Sequence, residues 1–157
     1  MPFDIRAAKV ATGAVPVGAD GFHRHEKGDG DMDKERFELG VARRSETVGA
    51  EYVQKNLAEA DEFTCGFQEM MTEWCWGFGW GDDTIDAKTR SMMNLAMIGA
   101  LGKMHEWETH CNGAINNGVS MEEIRAIIHV IAIYCGVPQS LECFRVARKV
   151  LEARGLL

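Results

Sequence analysis

The sequence predicts an all-α domain of six to seven helices, and three observations carry that prediction. From Asp33 onward, apolar residues recur at spacings of three and four, the period of one helix face. Asp or Ser stands where a helix should open and Gly where one should close. No run alternates apolar and polar residues as a half-buried strand would.

The first helix opens on Asp33 as N-cap, runs through Phe37, Val41 and Val48, and stops by Gly49. A second passes through Tyr52, Val53 and Leu57. The third carries Phe63, Phe67, Met70, Met71, Trp74 and Phe78, a stripe expected to face a core, before Gly77, Gly79 and Gly81 break it. The fourth starts at Asp86 and ends by Gly102; it is apolar nearly all round from Met92 to Leu101, which predicts a central position. The fifth spans Lys103 to Asn117 and is closed by Gly118. Ser120 and Glu123 have the spacing of a capping box for the sixth, which ends at Gly136 before Pro138. That helix has Ile124, Ile127, Ile128, Ile131 and Cys135 on one face, and Ala126, Val130 and Ile133 on another, a pattern that suggests a subunit contact. The last, Leu141 to Arg154, should turn Leu141, Phe144, Ala147 and Leu151 inward. Residues 1–32 are rich in Gly and polar side chains from Ala11 to Asp31 and read as an arm, expected to lie against another surface such as a neighbouring subunit. Residues 33–157 form the helical domain.

Composition narrows the function classes. The 26% charged residues include enough acid to give a net charge of −7, which disfavours a grip on phosphate backbone or on an anionic membrane. Five Cys with no CxxC pair do not form the framework of a small secreted domain, so a reducing cytoplasm is expected. Met1 to Val10 carries charges where a signal peptide would have its apolar core, and no run of eighteen apolar residues occurs.

The side chains with chemical potential lie between Glu73 and His110. His105-Glu106-Trp107-Glu108-Thr109-His110 is a near miss for the zinc-protease helix. At ~100° per residue the two histidines point about 140° apart, so no metal site is read there. His23 and His25 form an equally weak pair. Met104, Trp107, Cys111, Ala114 and Ile115 make the buried stripe of the fifth helix; His110 flanks it, within about 60° of Lys103 and Glu106. His105 falls on the polar side with Asn112 and Asn116. Glu106 one turn before His110 can orient the ring and raise its basicity, although a surface ion pair would show the same spacing. On the third helix, Glu73, Trp76 and Trp80 share a face if the helix survives Gly77 and Gly79; they could line an aromatic pocket or simply fill core. Arg90 is a cation in the first turn of a helix, against the dipole, and calls for an anionic partner, either a carboxylate such as Glu73 or a substrate. The five Cys fall within helices and no glycine-rich phosphate loop occurs.

Taken together, Glu73-Trp74-Cys75-Trp76-Gly77 with Trp80, Thr89-Arg90-Ser91, His105-Glu106 with His110, Asn116-Asn117-Gly118 and Tyr134-Cys135-Gly136-Val137-Pro138 closely resemble the carboxymuconolactone decarboxylase family, from about Asp33 to Arg148. The resemblance implies the alkylhydroperoxidase D-like helical bundle, a homotrimer or homohexamer, and no cofactor. A redox branch of that superfamily uses a Cys pair; the matching positions here are Lys103 and Glu106, which disfavours a thiol-dependent alkylhydroperoxidase-like reductase. Gln139-Ser140 and Trp107 depart from the usual family residues.

The implied reaction is decarboxylation of 4-carboxymuconolactone to 3-oxoadipate enol-lactone, in the protocatechuate branch of aromatic degradation. The departing carboxylate sits on the carbon γ to an unsaturated lactone carbonyl, so the substrate is its own electron sink. The protein must supply a cation for the second carboxylate, a donor for the lactone oxyanion and an acid for the ring carbon. His110 is expected to transfer the proton with Glu106 orienting it, Arg90 and Lys103 to hold carboxylates, and Trp76, Trp80 and Glu73 to form the pocket wall or a second acid; His105 could join only from a neighbouring subunit.

Overall fold

The computed structural model describes residues 32–157, so the arm read over 1–32 lies outside the described residues up to Met32. These residues form helices only, and they pack into two compact units that divide between Asp83 and Thr84. None of the helices is long and apolar enough to cross a membrane.

The N-terminal unit holds α1 (Lys34–Val48), α2 (Ala50–Ala58) and α3 (Cys65–Met70), which runs on directly as a π-helical segment, Met71–Gly79. Asp33 caps α1 as expected, its carboxylate accepting from Arg36 N at 3.0 Å. Gly49, at φ +100°, closes α1 and opens α2: its N–H donates to Ser45 O and its carbonyl accepts from Val53 N. A side chain there would strain the backbone. Phe37, Val41, Val53, Leu57 and Cys65 form the small apolar core.

The third helix corrects the prediction in two ways. Phe63 is 94% exposed, Phe67, Met70, Trp74 and Phe78 also face outward, and the buried face is instead Cys65, Thr72, Glu73, Trp76 and Gly77. From Met71 the backbone adopts the wider π turn, so residues three and four apart no longer stack as they do in an α-helix. The closeness of α1 matters as much. A Cβ on Gly40 would overlap Thr72 O, and one on Gly77 would overlap Arg36 O. Backbones that approach this closely select the face with small residues, not the face with the most apolar area. Gly77 is therefore a contact residue inside the helix and not its breaker.

The C-terminal unit holds α4 (Ala87–Ala100), α5 (Met104–Asn116), α6 (Met121–Cys135) and α7 (Val137–Ala153), with α4 touching the other three. Its punctuation matches the sequence reading. Asp86 accepts from Thr89 N at 2.8 Å, Ser120 and Glu123 form the capping box, and Gly102, Gly118 and Gly136 adopt positive φ after their helices. Leu95, Trp107, Cys111, Ile124, Ile128, Ile131, Cys143 and Leu151 lie in one apolar core. Trp107 is fully buried and its Nε1 donates to Leu95 O at 3.0 Å. Gly99 makes room for it, since a Cβ there would sit 3.1 Å from Trp107 Nε1.

Two predicted faces are rotated. Leu141 and Phe144 are exposed, while Ser140, Cys143 and Val150 join Ala147 and Leu151 inside, and α7 begins four residues earlier than predicted, at Val137. Cys135, expected in the core, is exposed at the end of α6. The second apolar face of α6 is exposed as expected, with Ile133 at 77%.

Candidate active site

In the C-terminal unit, burial of Trp107, Cys111 and Ala114 turns α5 so that His110 lies at the shoulder of the core, half-buried, with Glu106 and His105 exposed. Desolvation lowers the His110 pKa from its ordinary value, and the nearby negative charge of Glu106 opposes that shift. The imidazole is therefore predominantly neutral near pH 7, with a carboxylate one turn away. Lys103 stands at the N-cap position, just outside α5, and is exposed. Among the described residues no three His, Cys, Asp or Glu side chains are placed to hold a metal ion together.

Arg90, half-buried in the first turn of α4, donates from Nη2 to Ile85 O at 3.0 Å. Its neighbours hold the scaffold. Thr89 binds Asp86 through N and Oγ1, and these bonds keep the Asp86 carboxyl below its usual range. Ser91 Oγ donates to Ala87 O and accepts from Asn117 Nδ2 at 2.9 Å, so two of the sequence motifs meet in a structural link.

In the N-terminal unit, Glu73, Trp76 and Trp80 do gather on the π segment. Trp76 is buried and stacks on Trp80 with ring centroids 4.9 Å apart, and Trp80 N donates to Cys75 O, the i→i+5 pattern of a π turn. Glu73 is 7% exposed, and Arg36 Nη1 lies 3.0 Å from its Oε1. The cation that answers Glu73 within its own unit is thus Arg36, which the sequence reading did not name. Arg36 also pairs with Asp33 at 3.3 Å and lies 4.8 Å above the Trp74 ring. It borders an open cleft of about 510 Å³ with Asp33, Glu35, Phe78 and Asp82.

Sequence reasoning missed Arg36 and also Arg44, which is 4% exposed and donates from Nη1 to Gln68 Oε1 at 3.1 Å and Thr72 Oγ1 at 3.2 Å. Their signal was present: Arg36, Gly40 and Arg44 recur every fourth residue on α1, so one face brings a cation, a bare backbone and a second cation onto the π segment.

All five Cys are free thiols. Cys65, Cys111 and Cys143 are buried, and burial pushes the Cys111 thiol up to about 12. Cys75 and Cys135 are exposed, in different units.

The fold and these side chains define an all-α protein with ionic groups set at helix edges. Residues 66–149 match the model of the carboxymuconolactone decarboxylase family, and the chain belongs to that family. It is 37% identical over 122 residues to the nitrosuccinic acid decarboxylase npaB of Metarhizium robertsii, covering 78% of this chain and 85% of the relative. It is 29% identical over 124 residues to the 4-carboxymuconolactone decarboxylase of Acinetobacter baylyi, covering 79% of this chain and 92% of the relative. Both relatives are named as decarboxylases, consistent with a carboxy-lyase.

Proposed function

We propose that this protein is a cytoplasmic, cofactor-free carboxy-lyase for a small diacid that carries its own electron sink, with 4-carboxymuconolactone going to 3-oxoadipate enol-lactone as the first reading. The observation that carries it is the half-buried His110 beside Glu106 in a member of this family. As carbon dioxide leaves, the bonding pair moves through the double bond into the lactone carbonyl, and the ring carbon then takes a proton. His110 supplies that proton. Its resting imidazole is neutral, and a dianionic substrate favours protonation on binding, so the acid forms where it is used. Glu106 orients the ring, and Arg90 and Lys103 hold carboxylates. Trp76, Trp80 and Glu73 gather in the N-terminal unit, where the Glu73 carboxylate is already engaged by Arg36. His105, exposed on α5, would act only from a neighbouring copy.

A second substrate reading rests on the 37% identity to the relative named for nitrosuccinic acid, against 29% for the one named for carboxymuconolactone. In nitrosuccinate the nitro group, on the carbon that bears one carboxyl, takes the electron pair instead of a lactone carbonyl. Both molecules are diacids that lose one carboxyl and keep the other, so the same proton donor serves. Incubating the protein with each acid and following released carbon dioxide decides between them; turnover of neither would refute the proposal. His110→Ala should lose about 10²–10⁴-fold in kcat on the accepted substrate, and near-normal turnover in that variant would remove His110 from the mechanism. Unchanged activity after thiol blocking would count against a thiol-dependent reductase. We further propose a homotrimer or homohexamer, supported by exposed Val130, Ile133, Tyr134 and Leu141 on α6 and α7.

A further inference from the structure

Helices α6 and α7 enclose an apolar groove of about 470 Å³ that lies wholly within the C-terminal unit. Ile124 and Ile128 from α6 and Phe144, Ala147 and Leu151 from α7 form its floor, all buried except Phe144. Three further lining residues are exposed cations, Arg125 on α6 and Arg145 and Arg148 on α7. No described Asp or Glu lines the groove, although the chain carries a net charge of −7. An acidic chain has thus gathered cations around one apolar groove.

The three arginines differ in what they already hold. Arg145 pairs with Glu142 at 2.6 Å and Arg148 with Glu152 at 3.6 Å, both between exposed side chains of one helix. Solvent screens such pairs, so little is lost when a ligand takes the place of the glutamate. Arg125 makes no ion pair or hydrogen bond among the described residues, and its planar fork keeps its donors for an incoming carboxylate. The groove volume is that of a small-molecule site, and an apolar lining with a few convergent polar groups is the usual character of one. From Leu141 to Leu151 the lining runs roughly 15 Å at the rise of an α-helix, long enough for an extended chain.

Two other occupants fit less well. A short diacid would set a carboxylate on the apolar floor, and none of Arg90, Lys103, Glu106 and His110 lines the groove, so it does not hold the proposed substrate. A second copy docked two-fold symmetrically would set these arginines against themselves. The apolar residues of α6 offered to a neighbouring copy, Val130 and Ile133, lie roughly 80–140° round the helix from Arg125 at ~100° per residue, and Leu141 alone belongs to both surfaces.

We propose that this groove binds an amphipathic carboxylate, its alkyl chain laid along Ile124, Ile128, Phe144 and Leu151 and its charged end held by Arg125 and Arg148. The inference does not depend on the decarboxylase reading. Affinity comes from the water that leaves the apolar floor, and the guanidinium forks select the anion.

Decanoate is the probe, used below the concentration at which it forms micelles, with decanol and acetate as controls at equal ionic strength. Calorimetric titration of the wild-type protein should show saturable decanoate binding and none of acetate, with decanol about tenfold weaker or worse. Arg125→Gln together with Arg148→Gln changes only exposed side chains, and should weaken decanoate about tenfold or more while leaving decanol unchanged. Lys149→Gln removes an exposed cation of α7 outside the groove and should leave the decanoate Kd unchanged. No saturable decanoate binding in wild type, equal affinity for decanol, or an unchanged Kd in the double variant overturns the proposal. If wild type ignores decanoate and the double variant forms a smaller assembly, the groove is a contact between copies and the proposal falls. If decanoate binds through the arginines and neither diacid is decarboxylated, the groove stands and the proposed reaction falls.

Discussion

The two units bury different kinds of residue. The C-terminal unit is built on Trp107 and a cluster of Leu, Ile and Val, and its candidate residues, Lys103, Glu106 and His110, sit at the edge of that core. The N-terminal unit has a small apolar core and beside it buries Arg44, Ser45, Thr47, Thr72 and Glu73. Apolar burial stabilises a fold at little risk, whereas each buried charge costs desolvation that its partners must offset. The N-terminal unit accepts that cost on one helix face, over a π-helical stretch.

Glycine substitutions should separate the units most sharply. Gly77→Ala puts a methyl into the backbone of α1 at Arg36 O, where nothing can move aside, and should destabilise the N-terminal unit by about 3 kcal/mol or more in denaturant unfolding. Gly99→Ala meets the end of the Ile131 side chain and should cost only about 1–2 kcal/mol. Equal effects would show that the α1 contact is looser than this.

Trp107→Leu tests the apolar unit. It leaves a cavity and a buried Leu95 carbonyl without its indole partner, for a loss of about 2–4 kcal/mol, with KM little changed because Trp107 is core. Glu73→Gln tests the polar one. Removing the carboxylate from a pair whose Arg36 is a third exposed should cost about 2 kcal/mol, against less than about 1 kcal/mol for Glu108→Gln, whose partner Lys149 is mostly solvated.

The smallest effect is a pH dependence. The folded-state His110 pKa lies below the ordinary value of about 6.5, so the unfolded chain binds more protons between the two. Stability should therefore fall as pH drops from about 6.5 through the folded pKa, and His110→Gln should flatten that limb of a Tm-against-pH curve.

Much of the fold was legible along the chain. Asp33, Asp86 and the Ser120/Glu123 box, with Gly49, Gly102, Gly118 and Gly136, mark helix ends because a cap needs one side-chain oxygen and a turn needs one residue free to take positive φ, both local requirements. The position of His110 at the shoulder of α5 was legible for the same reason, since an ordinary α-helix keeps its period. The face of the third helix was not. Its stripe of Phe, Met and Trp pointed to one side under α-helical spacing, while the π turn and the closeness of α1 at Gly40 and Gly77 buried the other. Nor did spacing reveal that Glu73 would meet Arg36, thirty-seven residues away, or that Arg44 would be buried without a carboxylate. The sequence by itself determined the helices, their caps and the α5 edge, because those depend on neighbours within one or two turns. The tertiary structure alone decided which charges are buried and with what, because desolvation and ion pairing depend on residues brought together across the chain.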